Sequence, residues 1–220
     1  MDINLNTQIS FTSRDQTIRF ADQIARNVNC NYPIVSSTFI EGFKCIQSSK
    51  SARLLVRLSN LIHTVRQVQT SAFKNAKTFD EKLFALINPI KNLKLGNCSE
   101  VTELTTLSAK ANGIENAQMR RLVSPNGDFY DHVVTYVGGE KPYIIDAWAG
   151  FADYVPKAIE RYQKDFRRHF NFKLFDTEKI VFQEVPKGFN ITEFLNKKFT
   201  NEELKILKTN YPELIIKAKE

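Results

Sequence analysis

The 220-residue chain is poor in the residues that most often build metal centres and disulfide frameworks: three cysteines, three histidines, two methionines and a single tryptophan. Cys30, Cys45 and Cys98 follow no repeated spacing, and His63, His132 and His169 do not join them at ligand spacing. A disulfide-stapled fold and a zinc knuckle are therefore not expected, and neither is a metal or cofactor requirement. No apolar run approaches the roughly 20 residues needed to cross a bilayer. The stretch from Met1 to Ser13 is polar, without the basic-then-apolar order of a secretory leader. Internal repeats and low-complexity tracts are lacking as well. These absences lead us to expect a soluble protein of a reducing, cytoplasmic-type compartment.

The charge is unbalanced. Thirty-one Lys and Arg face 24 Asp and Glu, a net charge of +7. The basic residues are spread along the chain, from Arg14 and Arg19 to Arg167 and Arg168, and form no nucleic-acid module. Charge alone carries no base readout, so attraction for an acidic protein partner is the expectation, rather than specific nucleic-acid binding.

The patterning is uneven along the chain. Residues 1–90 read as a helical region: Ile18, Ala21, Ile24 and Val28 make one stripe, and Leu54, Leu55, Leu58, Leu61, Ile62, Val65 and Val68 a stronger one. Asp80 to Ile87 predicts a third helix closed by Asn88-Pro89. Residues 91–186 contain a helix from Cys98 to about Ala111, with Val101, Leu104, Leu107 and Ala111 as one inward apolar stripe and Gly113 as its stop, and then three strand-like runs. Pro125-Asn126-Gly127-Asp128 and Gly138-Gly139 supply the turns between them. A helix from about Pro156 to Phe166, with Val155, Ile159, Tyr162 and Phe166 on one side, and a strand over Lys179–Val185 follow. Residues 187–220 hold two short helical patterns around Phe194, Leu195, Leu204 and Leu207. Strands grouped after a helix, without strict alternation, predict an α+β fold in one compact unit. Its helical N-terminal region would cap or flank a core made of a helix followed by an antiparallel sheet.

Three residues of that core have complementary chemistry. In Gly96-Asn97-Cys98-Ser99-Glu100, Asn97 is a natural N-cap and Glu100 can reach back to its backbone N–H, which makes Cys98 the first helical residue. Free N–H groups and the positive end of the helix dipole favour a thiolate there. His132 lies in the β-branched run Tyr130–Val137, and Asp146 in Pro142–Trp148. With a turn centred on Gly139, His132 stands seven residues before it and Asp146 seven after, directly opposed on one face. Each residue alone has an ordinary structural explanation: a buried thiol, a strand histidine, a turn-forming aspartate. Together they supply a nucleophile, a base and a group to orient the base. Trp148, two residues beyond Asp146, either shields the His–Asp pair from water or is a core aromatic; the sequence leaves the two readings even.

These residues resemble the catalytic core of the papain-like and transglutaminase-like cysteine enzymes, most of all the small bacterial members that include secreted effectors. The resemblance covers residues 98 to 146. It implies a nucleophile helix opened by Cys98, a His132 strand, and Asp146 orienting the imidazole from the next strand. Where papain-like proteases place an oxyanion-hole Gln before the cysteine, this chain offers Asn92 and Asn97. The implied activity is attack on an amide of a protein substrate through a thioester, as a protease or glutamine deamidase. A transglutaminase-type acyl transferase is the alternative, although Ser99 stands where classical members carry an aromatic residue. A catalytically silent interaction module is an alternative of another class. The effector likeness adds a secreted protein without a cleavable leader to the possible locations.

Overall fold

In the computed structural model, which describes residues 9–37, 49–123, 129–162, 164, 181–184 and 190–217, the N-terminal stripes fold as three helices. They are α1 (Ile9–Asn31), α2 (Ser49–Asn75) and α3 (Phe79–Leu93). Helix α1 buries Ala21, Ile24, Ala25 and Val28, close to its predicted stripe. Helix α2 departs from prediction: Ile62 and Val65 are buried, but Leu54, Leu61 and Val68 stay about half exposed. Helix α3 begins at a Thr78 cap, whose hydroxyl accepts from the Glu81 N–H at 3.2 Å. The predicted stop at Asn88-Pro89 is incorrect. The helix runs through Pro89 to Leu93 and ends at Lys94 in the left-handed region. Proline removes one helical hydrogen bond, but its neighbours Ile87 and Ile90 are buried, so packing holds the last turn.

Helix α4 (Cys98–Ala111) comes next, then strands β1 (Ala117–Val123), β2 (Phe129–Val137), β3 (Tyr143–Asp146) and β4 (Phe151–Tyr154). Helix α5 (Val155–Arg161), strand β5 (Val181–Glu184), helices α6 (Asn190–Asn196) and α7 (Asn201–Asn210) and a 3-10 turn at Pro212–Leu214 complete the order. The class is α+β. The sheet is antiparallel throughout, in the order β4-β3-β2-β1-β5. Strand β4 is absent from the sequence reading: it is four residues long, and its Gly150 turn (φ 79°) follows directly on Asp146. The predicted turn at Pro125–Asp128, Cys45 and His169 lie outside the described residues.

The two faces of the sheet are covered differently. Ala117, Met119, Val137 and Ile145 join one large core with α1, α3, α4, α6 and α7. Leu122, Val134, Ile144 and Phe151 form a smaller core on the other face with Ala158 and Tyr162.

Helix α4 sits at the centre of the larger core, and its surroundings correct a further expectation. Instead of one apolar stripe, every residue from Cys98 to Ala111 except Ser99 is buried. The polar side chains are satisfied internally. Thr105 donates to the Val101 carbonyl at 2.7 Å, the Thr106 and Thr135 hydroxyls meet at 2.9 Å, and Ser108 donates to the Leu214 carbonyl at 2.7 Å. Lys110 Nζ donates to the carbonyls of Glu115 and Lys197 at 2.9 and 3.0 Å. An unmatched buried polar group costs about 1–3 kcal/mol; among the described residues no buried side-chain nitrogen or oxygen lacks a partner. No described helix is long and apolar enough to cross a membrane.

Leu104, fully buried at the middle of α4, tests this packing. Leu104→Ala should lower unfolding stability by about 2–5 kcal/mol, measured by urea denaturation. A change within the error of the measurement would mean that α4 is not the centre of the core.

Candidate active site

The start of α4 is fixed from several sides. Residues 94–96 run parallel to Val35: the Val35 N–H donates to the Lys94 carbonyl at 2.8 Å, and the Gly96 N–H donates to the Val35 carbonyl at 3.2 Å. Glu100 accepts from the Asn97 N–H at 2.7 Å, the return arm of the predicted capping box. Its carboxylate is also gripped by Arg66 of α2 through Nε and, at 3.2 Å, through Nη2. Gly96 is glycine for a steric reason, since a Cβ there would lie 2.7 Å from the Glu100 Cβ. Cys98 thus emerges as the first residue of a clamped helix, 7% exposed.

His132 and Asp146 meet, though not through the predicted register. Val137 pairs with Tyr143 and Thr135 with Ile145, which centres the hairpin one residue beyond Gly139. Continued outward, this register sets Asp146 opposite Val134, so that His132 is two residues from direct opposition. A two-residue offset preserves the face. The pair therefore closes diagonally, with His132 Nε2 donating to Asp146 Oδ2 at 2.7 Å. Both belong to the face covered by α5, and Tyr162, just past that helix, donates its hydroxyl to the same oxygen at 2.6 Å. The other oxygen, Oδ1, accepts from the Ala149 N–H at 2.9 Å. Asp146 is therefore both the turn former that its position suggests and the partner of the histidine.

The imidazole is enclosed by two aromatic rings, Trp148 at 5.2 Å and Tyr162 at 5.6 Å between centroids. Cys98 is a second side-chain hydrogen-bond partner of His132. Burial would push this histidine down. The charge and hydrogen bond of Asp146, helped by Cys98, overcome that and raise it from 6.5 to about 10. Burial pushes the Tyr162 phenol up in turn, helped by the Asp146 charge, so that it stays a donor.

Of the predicted site residues, Cys98, His132, Asp146 and Trp148 come together. Trp148 lies in the turn after β3 rather than on the strand, with Nε1 donating to Ser36 Oγ at 3.1 Å. Asn97 is beside Cys98, but its carboxamide oxygen accepts from Ser36 Oγ at 2.8 Å and the Ser37 N–H at 3.1 Å, so it braces the upstream loop. Asn92 is an exposed residue of the last turn of α3, outside the cluster. Sequence reasoning missed Tyr162, Arg66 and Ser36. Tyr162 was visible only as one member of a helical stripe, and nothing local marks the other two. Among the described residues no group of three or more His, Cys, Asp or Glu could hold a metal. Compared with known proteins, the chain matches no family model, no curated protein and no solved structure.

The elevated histidine has a sign that can be measured. Its contribution to stability should be fully present below about pH 6.5 and fade as pH rises through about 10. Imidazole NMR should find His132 protonated well above neutrality, with Asp146→Asn moving its titration down. Titration near the ordinary histidine value in the unaltered protein would show that the Asp146 contact does not act on the ring.

Proposed function

We propose that the chain is a cysteine-nucleophile enzyme of the papain-like or transglutaminase-like kind, acting on an amide of a protein substrate through a thioester. The observation that carries this reading is the contact of three groups: Cys98 at a helix start, hydrogen-bonded to His132, whose Nε2 is held by Asp146. A histidine favouring its charged form beside a thiol is what a thiolate–imidazolium pair requires.

In the proposed reaction the Cys98 sulfur attacks the carbonyl carbon, and the oxygen takes up the developing negative charge. The Cys98 backbone N–H, at the first turn of α4, is the proposed donor to that oxyanion; such a donor contributes about 3–4 kcal/mol. His132 gives its proton to the departing nitrogen as the C–N bond breaks. Water then attacks the thioester, His132 takes a proton from it, and the thiolate leaves. Asp146 keeps the ring oriented and balances its charge, while Tyr162 and Asp146's own turn hold the carboxylate in place. A backbone amide as the acyl group gives proteolysis, and a glutamine side chain gives deamidation. If a lysine amine replaces water, the same thioester gives cross-linking. The net charge of +7 favours acidic protein substrates.

Exposure and chemistry make opposite predictions for alkylation. Cys30 is exposed and Cys98 buried, yet iodoacetamide at neutral pH should label Cys98 faster. Preferential labelling of Cys30 would leave a silent interaction module as the better reading. Intact-mass analysis of candidate substrates then separates cleavage, deamidation of about one mass unit, and joining.

Variants separate the roles. Cys98→Ala and His132→Ala should each abolish turnover, with the double variant no worse than either. Asp146→Ala should keep a small residual rate, and Tyr162→Phe a larger one with a displaced pH profile. Near-normal activity in Asp146→Ala would mean that another group orients His132.

A further inference from the structure

The surplus of positive charge has one source. Basic residues are spread along the chain, but acidic ones are not: between Glu41 and Asp80 stand seven Lys and Arg and no Asp or Glu. That segment therefore holds the whole net charge of +7, and the remainder of the chain is balanced. Helix α2 makes up most of the segment, 27 residues with five basic side chains and none acidic.

The same helix carries an apolar row that no described residue covers. Ile62, Val65 and Phe73 of its inward side are buried, but Leu54, Leu61 and Val68 are 52%, 51% and 48% exposed. These three stand seven residues apart. Seven residues advance about 20° less than two full turns, so the three fall within about 40° of one another around the helix axis, in a row about 21 Å long. Leu58, half-buried, and Val65 occupy the alternate positions of the heptad, so the row borders the face turned to the core. A single exposed aliphatic such as Val56, which lies off this row, needs no explanation. A row at heptad spacing is the seam of a helix pair. Arg57 is three residues after Leu54 and four before Leu61, a surface neighbour of both, and Arg53 lies one turn further along the same flank.

We infer that the outer edge of α2 is a docking surface for an acidic amphipathic helix of a partner protein. Charge and shape together select this occupant. A second copy of the chain would set cations against cations, because α2 has no acidic residue to offer in either direction of pairing. A helix that lies in a bilayer interface presents a broad apolar face; the broad face of α2 is turned to the core, and what it leaves outside is a single row. A partner helix needs only that row. Its aliphatic residues at every third and fourth position pack between Leu54, Leu61 and Val68. Acidic residues beside them meet Arg53 and Arg57, at the flanking positions that set partner choice and orientation in helix pairs. Since these cations flank the N-terminal half of the row, the end of the partner that carries its acids decides which way it lies.

The inference goes beyond the proposed reaction and stands whether or not Cys98 is reactive. Its test titrates the full chain into fluorescein-labelled synthetic helices of about three heptads, read by anisotropy. One peptide has a leucine seam flanked by glutamates, the second the same seam flanked by lysines, and the third the composition of the first in scrambled order. We expect saturable binding of the glutamate peptide, at least about tenfold tighter than either of the others. Leu61→Gln and Arg57→Glu, both at exposed positions, should leave thermal unfolding unchanged and each weaken the glutamate peptide by at least about fivefold. Arg57→Glu should at the same time improve binding of the lysine peptide. Failure of the glutamate peptide to bind, or equal binding of the scrambled one, would overturn the docking surface. Two further outcomes would overturn the helical partner in favour of another occupant. Concentration-dependent dimerisation lost in Leu61→Gln would give the row to a second copy. Partition onto phosphatidylserine–phosphatidylcholine vesicles, lost in Leu61→Gln and without peptide binding, would give it to a membrane.

Discussion

The Asp146 carboxylate is the constraint on which the rest of the site depends. A charge so deeply buried is tolerated only when its lone pairs are taken up, and here the takers come from three parts of the chain: the His132 ring on β2, the Tyr162 hydroxyl beyond α5, and the Ala149 N–H of its own turn. The requirement of one residue thereby fixes the relation of a strand, a turn and a helix. It also explains why α5 lies against that face of the sheet, since the smaller core it covers ends in Tyr162.

Helix α4 meets a related demand on the other side. Most natural helices keep water on one face; this one is enclosed, with hydroxyls and an ammonium matched to carbonyls of distant segments. Such matching is unforgiving of displacement, because each unmatched group carries the cost of its lost hydration. The benefit is positional. In the proposed reaction Cys98 opens a helix locked at both ends, by Arg66–Glu100 and the Val35 bridge at one and by Lys110 at the other, and so would have little freedom to lose when a substrate arrives.

The parts legible in the sequence were those governed by local rules. The cap at Asn97, the helix stop near Gly113, the hairpin turn and the strand character of Tyr130–Val137 follow from neighbours a few residues apart, and so did the grouping of Cys98, His132 and Asp146 on adjoining elements. The one-residue error in the hairpin centre left the face assignment intact because side chains alternate with period two. What was not legible depends on distance in the chain. Tyr162 is sixteen residues from Asp146, Arg66 thirty-four from Glu100, and Ser36 a hundred and twelve from Trp148. Periodicity also misjudged α2 and α4, because the number of apolar residues on a helix does not say how many partners surround it.

Trp148 is the chain's single tryptophan, and its indole lies 5.2 Å from the imidazole between ring centroids. A protonated imidazole quenches indole emission far more than a neutral one. The protein's intrinsic fluorescence is therefore an optical gauge of one proton on one ring, undiluted by any other tryptophan, and it can follow the charge state of His132 in the unlabelled, unmodified chain.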